Sequence, residues 1–558
     1  MYLGINLGHH DTSACLLTES EDNTASMIVL EEERLQKKKH AGFYPYLSID
    51  IVQRTFDLSK LPAEQVAYST FFLSMDETWK KIASIKNKFS ESFTLNESLS
   101  EKKHCASNIL HHEAHLFSCL INLDPKQDHL IVISDGCGSQ YTEVKKFSIF
   151  PFDLSGEGST YETISVYSYR SGKIQVLDKF LTPFMLLKGK KEDFSPASYF
   201  TAASQVVFGD WSYSGKVMGL SGYYDDAPFQ DTELYQLLTT TSFNALSSKD
   251  YFDDLDKSMF DALAKICYST QIYFENYMMA FFQKLKEKHP GLENLVYAGG
   301  TSLNCIFNEK LRRKNLFKTI TIPAWTNDEG VGMGAAIGSY YLKNKKLPTI
   351  KDAHSPFLGF PYAYSEAEVK KAFSSFVIED LSFTRIAELI ANNQIVAWYE
   401  GRSECGPRAL GHRSIFCSPF RPGIRDYLND RIKMRERFRP YGCSVLQEQQ
   451  EEYFEQAEGL YSPYMSFAPV VKSEKRELLS EILHVDNTIR IQTVDDTFPN
   501  LKSLLIELRK QTGHSLVIHT SLNINKQPIL ETLSDAVLFF KNSEIKYLVF
   551  DNLLIRKS

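Results

Sequence analysis

Short apolar runs alternate along the chain with longer stretches in which apolar positions return at helical spacing, and this alternation predicts an α/β protein. MYLGINLG at the start, HLIVISDG at 129–136, LVYAGG at 295–300, QIVAWYEG at 394–401 and KYLVFDN at 546–552 read as strands. The strongest helical pattern covers 261–289. There Ile266, Tyr273, Tyr277, Phe281 and Leu285 recur at intervals of seven and four, and a basic end suits the negative pole of the helix dipole. Lysines and prolines interrupt the pattern near 345–360, and a new helix, YSEAEVKKAF, follows. This divides the chain into an N-terminal unit, 1–350, and a C-terminal unit, 356–558. The acidic stretch 225–256 reads as an irregular surface excursion. No internal repeat is visible.

Composition narrows the functional classes. The 558 residues carry 62 Lys+Arg against 69 Asp+Glu, a net charge of −7, and 43% are hydrophobic. Such a chain buries a large core and offers no global positive field to a nucleic-acid backbone. No apolar run reaches the ~18–20 residues of a bilayer span, and no basic segment precedes the apolar start. Nine scattered cysteines without a CxxC pair fit free thiols in a reducing compartment. The expectation is a cytoplasmic protein that binds neither nucleic acid nor membrane, with a homodimer allowed for.

Three apolar strands of the N-terminal unit end in polar or glycine-containing turns: Gly8–Ala14, Ser134–Ser139 and Ala298–Asn304. Such turns bring backbone N–H groups close to phosphate oxygens. Three in this order match the actin/hexokinase/Hsp70-type ATPase fold. His111 and His115 in HHEAH stand at i and i+4, on one helical face, where they can chelate one ion. Asp135 ends a strand and Asp328 precedes the small-residue helix start GVGMGAA. Two imidazoles and two carboxylates suit Fe²⁺, with Mn²⁺ or Zn²⁺ as alternatives, better than Ca²⁺.

Nine arginines lie between Arg402 and Arg439, with Lys433 among them. Solvated helix faces and surface ion pairs account for Arg421, Arg425 and Arg435. The small residues and proline around Arg408, in GPRALGHRSI, favour a rigid loop facing an anion, because guanidinium forks match phosphate and carboxylate oxygens.

HDTSA, EEERLQKKKH at 31–40, HHEAH, SDGCGS, GKVMGL, YAGGTSLNCIFN, NDEGVGMGAA, GPRALGHRSI, NDRIKMRERFRP, IRIQTV and HTSLN together resemble the NodU/CmcH/TobZ-type O-carbamoyltransferases. That resemblance implies an α/β chain with an N-terminal actin/hexokinase/Hsp70-like (Kae1-like) domain and a C-terminal YrdC-like α/β domain. It implies that carbamoyl phosphate and ATP, with Mg²⁺, form carbamoyl adenylate in the YrdC-like domain. The carbamoyl group then passes to a hydroxyl of a small-molecule acceptor, of natural-product or sugar type, in the Kae1-like domain. Residue by residue, it implies that Arg408, Lys433, Arg439, Arg490, Thr520, Ser521 and Asn523, with Lys39, hold the donor anions. It places Gly136, Gly138, Ser139, Gly299, Gly300 and Asn304 around the adenylate, with Lys216 in reach. His111, His115, Asp135 and Asp328 would hold the metal. His10 is the candidate general base, with Arg408 and Arg439 as catalytic cations, while His112 is expected to point away and pack. His519 stands where the family shows Asn, so no ligand contact is assigned to it. Two other readings use similar parts: a tRNA-threonylcarbamoylating enzyme, which the net charge and the form of GPRALGHRSI disfavour, and a nucleotide-switched binding protein, which needs neither the arginines nor the metal set.

Overall fold

The computed structural model describes residues 1–8, 10–42, 44–56, 58, 61–70, 107–154, 158–183, 195–241, 252–524 and 526–557. Its strands form three sheets. The first contains β1 (Tyr2–Asn6), β2 (Ser13–Glu19), β3 (Thr24–Glu31), β4 (Val66–Ser69) and β5 (Ser107–Asn108). The second contains β6 (His129–Ser134), β7 (Thr160–Arg170), β8 (Lys173–Pro183), β9 (Asn294–Ala298) and β10 (Thr319–Thr321). In each, the opening strand lies between an antiparallel meander and two parallel strands, in the order 3-2-1-4-5 within its own sheet. The N-terminal part is thus a topological duplication of the actin type, although no repeat shows in its residues. Side-chain identity is free to diverge while strand order is retained.

The third sheet runs β12 (Val377–Asp380), β19 (Leu553–Arg556), β18 (Tyr547–Phe550), β13 (Val396–Tyr399), β14 (Arg413–Cys417), β17 (Leu516–Ser521), β15 (Gly442–Leu446) and β16 (Ile491–Val494). All five predicted strands are present. The predicted helix at 261–289 is observed as Lys257–Lys288, started by Asp256, whose side chain accepts from the Met259 N–H.

At the boundary segment 345–360, β11 (Thr349–Ile350) joins the first sheet parallel to β3, and the Val29 N–H donates to the Leu358 carbonyl. One expectation is corrected: 225–256 is not irregular where it is described. A helix spans Asp231–Thr240, held by a capping box between Gln230 and Glu233, and it buries Leu234 and Leu238. The stretch 242–251 lies outside the described residues, as does Cys105. The other eight cysteines are free thiols, seven of them buried. No helix among the described residues is long and apolar enough to cross a membrane.

Helix α1 (Glu32–Gln36) follows β3, and α2 (His111–Leu120) follows β5; all ten α2 residues are buried. Helix α3 (Val331–Asn344) lies against α2 and β1. Its glycines make the contact possible: a Cβ on Gly334 would stand 1.7 Å from the Ala114 carbonyl oxygen. Gly334→Ala is therefore expected to destabilise the protein by about 1–3 kcal/mol or more, read as a lowered urea midpoint, because backbone rather than a flexible side chain must move.

Candidate functional site

The α2–α3 contact fixes the first constellation. His111 and His115 face one way from α2, whose first N–H donates to Ser139 Oγ at 3.0 Å. Asp135 follows β6, and Asp328 stands three residues before α3. The His111 and His115 Nε2 atoms are 3.3 Å apart; each lies 3.3 Å from Asp135 Oδ2 and 3.4 Å from Asp328 Oδ1. Four donors with edges of that length have a centre about 2 Å from each, the length of first-row metal–N and metal–O bonds. The residues therefore fit a divalent transition metal. Without an ion the carboxylates hold protons on the imidazoles: burial opposes this, yet Asp328 and Asp135 raise His111 to about 10. Asn6, fully buried, ties the site to the first turn, donating from Nδ2 to the Asp11 and Asp328 carbonyls at 3.0 Å each.

Behind the metal donors, His112 is neutral, lowered to about 3 by burial, with Nδ1 2.8 Å from Ser165 Oγ. Gly138 packs on the His112 ring. Gly138 and Ser139 thus lie under the site, whereas Gly136, Gly300 and Asn304 line an open cavity of about 310 Å³. Gly299, at φ 90°, abuts the Ser134 carbonyl. Asn304 caps the helix that follows and pairs with Gln271.

The same cavity is lined by His10, Asp11, His40, Trp211 and Arg408. His10 Nδ1 is 2.9 Å from Asp11 Oδ2 and 3.7 Å from Asp328 Oδ2. Against burial, Asp11, Asp328 and Asp135 raise His10 to about 9. Asp11 also accepts from His40 Nδ1 at 3.0 Å, and Trp211 packs over both imidazoles. Reasoning from sequence assigned no role to Asp11, Asn6, His40 or Trp211. Only their place in HDTSA and EEERLQKKKH hinted at the first and third.

Arg408, in the cavity wall, belongs to a cluster of cations. Burial lowers Arg408, Arg439 (to about 10) and Arg490 (to about 9), and neighbouring guanidinium groups add to each shift. Lys433 is lowered by burial and then by Arg435, Lys39 and Arg439. Lys39, exposed at its surface but crowded, feels Glu33, Arg439 and Arg408. Among the described residues, no ion pair involves Lys39, Arg408 or Arg490, and the buried Arg490 Nε has no hydrogen-bond partner. Lys433 ends a wide helical turn, Leu428–Lys433, and donates to the Ser521 carbonyl at 2.7 Å and the Asn523 carbonyl at 2.9 Å. Ser521 and Asn523 hold this lysine, and half-buried Thr520 precedes them in β17.

Arg435 departs from expectation. It is buried rather than solvated, donating to Asn429 Oδ1 at 2.9 Å and stacked over Tyr441, because Phe438 anchors this segment against Phe208 and Phe252. Arg421 and Arg425 remain partly exposed. Lys216 is buried, paired with Glu436 at 2.7 Å beside Arg439, so it crosses to the C-terminal part. Arg413, fully buried over the Tyr399 ring, donates to the Glu400 and Gly401 carbonyls and takes no part in the pocket.

Comparison with known proteins now bears on this geometry. A model described as the carbamoyltransferase C-terminus matches residues 387–557, and one described as the carbamoyltransferase N-terminus matches 208–337. The chain belongs to the carbamoyltransferase family. An uncharacterised protein of Synechocystis sp. is 27% identical over 622 aligned positions, covering 100% of this chain and 96% of that protein. Nodulation protein NolNO of Sinorhizobium fredii is 32% identical over 370 positions, covering 61% of this chain and 52% of the relative, so the match spans about half of that protein. Among solved structures, full-length HypF in its phosphate- and nucleotide-bound form aligns with a TM-score of 0.31 at 14% identity, over 61% of this chain and 56% of that one.

Two outcomes follow for this carbamoyltransferase-family chain. His115→Ala should weaken Co²⁺ or Zn²⁺ binding at least roughly 100-fold, measured by metal content after dialysis. His519 is buried between Ser414 Oγ at 2.7 Å and Ser444 Oγ at 2.6 Å, and burial lowers it to about 3. The unfolded chain takes up that proton near pH 6.5, so the contribution of His519 is intact above 6.5 and is lost as pH falls towards 3. Urea melts between pH 6 and 4 should show the wild type losing about 1.4 kcal/mol per pH unit more than His519→Asn.

Proposed function

We propose that the protein is an ATP-dependent O-carbamoyltransferase that activates carbamoyl phosphate at its arginine pocket and delivers the carbamoyl group to a hydroxyl in the adjoining cavity. One observation carries the reading: Lys39, Arg408, Lys433, Arg439 and Arg490 converge from both parts of the chain, and all but Arg439 lack a carboxylate partner among the described residues. Buried cations that lower one another's pKa are stable only opposite an anion of high charge. Triphosphate, entering with Mg²⁺, and carbamoyl phosphate meet that need.

With one water, carbamoyl phosphate and ATP give carbamoyl adenylate, phosphate and pyrophosphate. The guanidinium groups offset the charge that develops on the leaving phosphates. This half-reaction belongs to the C-terminal, YrdC-like part, with Lys39 reaching in from the N-terminal, Kae1-like part. The cavity then receives the adenylate between Arg408 and the Gly136 and Gly300 turns. An acceptor hydroxyl attacks the carbamoyl carbon, AMP leaves, and His10 takes the hydroxyl proton. A divalent metal held by His111, His115, Asp135 and Asp328 would neutralise charge on the departing phosphate. Two of the three carboxylates that raise His10 are donors in that set, and their charge is offset when they bind a cation, which brings the imidazole towards a base's range. Trp211 offers a flat face to the ring of a hydroxylated small molecule.

The test is pyrophosphate release from purified protein with ATP, with and without carbamoyl phosphate, and with no acceptor. Release should depend on carbamoyl phosphate, with carbamoyl adenylate detected by mass spectrometry. Arg439→Ala and Arg490→Ala should each lower it roughly 100-fold, while His10→Ala should retain release and lose transfer. Release indifferent to carbamoyl phosphate overturns the reading.

A further inference from the structure

The segment EEERLQKKKH at 31–40 contributes only Lys39 to the function proposed above, yet its first residues are buried against the loop that carries Arg408. Glu31 is 5% exposed and Arg34 3%. The Arg34 guanidinium is engaged on every edge. Its Nε lies 2.8 Å from Glu31 Oε2, Nη1 donates to the Glu404 carbonyl at 2.6 Å, and Nη2 donates to the Gly406 carbonyl at 2.9 Å. The remaining Glu31 oxygen, Oε1, accepts from the Gly406 N–H at 2.7 Å. Gly406 is therefore clamped through both its N–H and its C=O. Its φ of +104° and its approach to the Ala324 carbonyl, 2.2 Å from where a Cβ would stand, bar any side chain there.

Arg408 stands two residues further on. Downstream, Glu404 Oε1 accepts from the N–H groups of Leu410, Gly411, His412 and Arg413 at 2.8–3.1 Å. Arg408 thus occupies the apex of a loop pinned on both flanks. It has no ion pair or hydrogen bond of its own among the described residues, so its aim is set by the loop. The downstream pin belongs to the C-terminal part of the chain. The upstream pin comes entirely from the N-terminal part.

We infer that Arg34, seated by Glu31, is a positioning residue for the anion pocket: it sets the aim of Arg408 from the other half of the molecule without touching the donor. The inference rests on the reading of the arginine cluster as the donor site. It makes donor binding a property of the assembled chain, since a guanidinium fork that holds two carbonyls and a carboxylate has no substitute in the C-terminal part.

The probe is inorganic pyrophosphate, titrated calorimetrically into the full-length wild type, Arg34→Lys and Arg34→Met, beside carbamoyl-phosphate-dependent turnover. Arg34→Lys keeps the charge next to Glu31 but replaces the planar fork by a single nitrogen, which cannot reproduce the separate Nη1 and Nη2 bonds to the Glu404 and Gly406 carbonyls while facing Glu31. Its pyrophosphate affinity should fall roughly tenfold, and the KM for carbamoyl phosphate should rise by a similar factor with less change in kcat. Metal content and the thermal midpoint should stay at wild-type values. Arg34→Met should lose more affinity; where it does not fold, the lysine variant carries the test. Wild-type affinity in Arg34→Lys overturns the inference, as does a lowered thermal midpoint with unchanged affinity. Wild-type protein that binds pyrophosphate without carbamoyl-phosphate-dependent turnover overturns the proposed function alone, and the affinities then decide the role of Arg34. Wild-type protein that binds no pyrophosphate overturns both.

Discussion

The backbone of α3 presses on the backbone of α2 where Gly334 meets the Ala114 carbonyl, and the geometry of the metal donors depends on that contact. Two donors lie on α2 and a third stands three residues before α3, so the spacing between the helices is also the spacing between imidazole and carboxylate. A methyl group at position 334 would separate them by more than the tolerance of a metal–ligand bond. Interiors packed at crystal density transmit such a displacement rather than absorb it. Asn6 closes the figure, because one amide donates to the carbonyls of both Asp11 and Asp328. The general-base candidate and the metal donors therefore share one rigid frame.

The arginine pocket is built on the opposite principle. Its cations repel one another and, Lys39 apart, are buried or partly buried, so the empty pocket costs stability that other contacts must offset. The surroundings show where that offset lies. Glu404 gathers four N–H groups, Glu31 and Arg34 clamp Gly406, Lys216 pairs with Glu436 beside Arg439, and Phe438 is packed among aromatic rings of the N-terminal part. Each support acts on backbone or on a neighbour and leaves the Arg408 and Arg490 guanidinium groups without an ion pair among the described residues. A pocket whose cations were paired internally would have to break those pairs to admit a ligand. This one holds its donors ready for an anion at the cost of native stability.

What was legible in the sequence was local. An i, i+4 histidine pair names its own helix face, and a strand ending in Asp-Gly names its own turn, so the four residues that the fold brings together at the candidate metal site could be read before any tertiary structure was known. The five strands and the long helix were legible for the same reason. Arg34, Asp11, Trp211 and the burial of Arg435 were not, because each acquires its meaning from residues far away in the chain. Arg34 touches carbonyls some 370 positions on, and Arg435 is buried because Phe438 packs against Phe208 and Phe252. The helix at Asp231–Thr240 was hidden by its acidic flanks, although Leu234 and Leu238 stand at i and i+4. The duplicated sheet was invisible because topology leaves no residue signature.

The cavity joins these two regimes, and its polarity follows from them. Its lining combines the Asp11 and Asp135 carboxylates and the Arg408 guanidinium with apolar Phe200, Met218 and Phe274. A phosphate ester bearing a reactive acyl group suits such a lining: its phosphate is held by arginine while it forms and is drawn towards a cation at the carboxylates when it reacts. An acceptor hydroxyl needs neither charge. It needs a base and a flat apolar surface, and His10 and Trp211 supply these at a ring separation of 4.9 Å beside the metal donors.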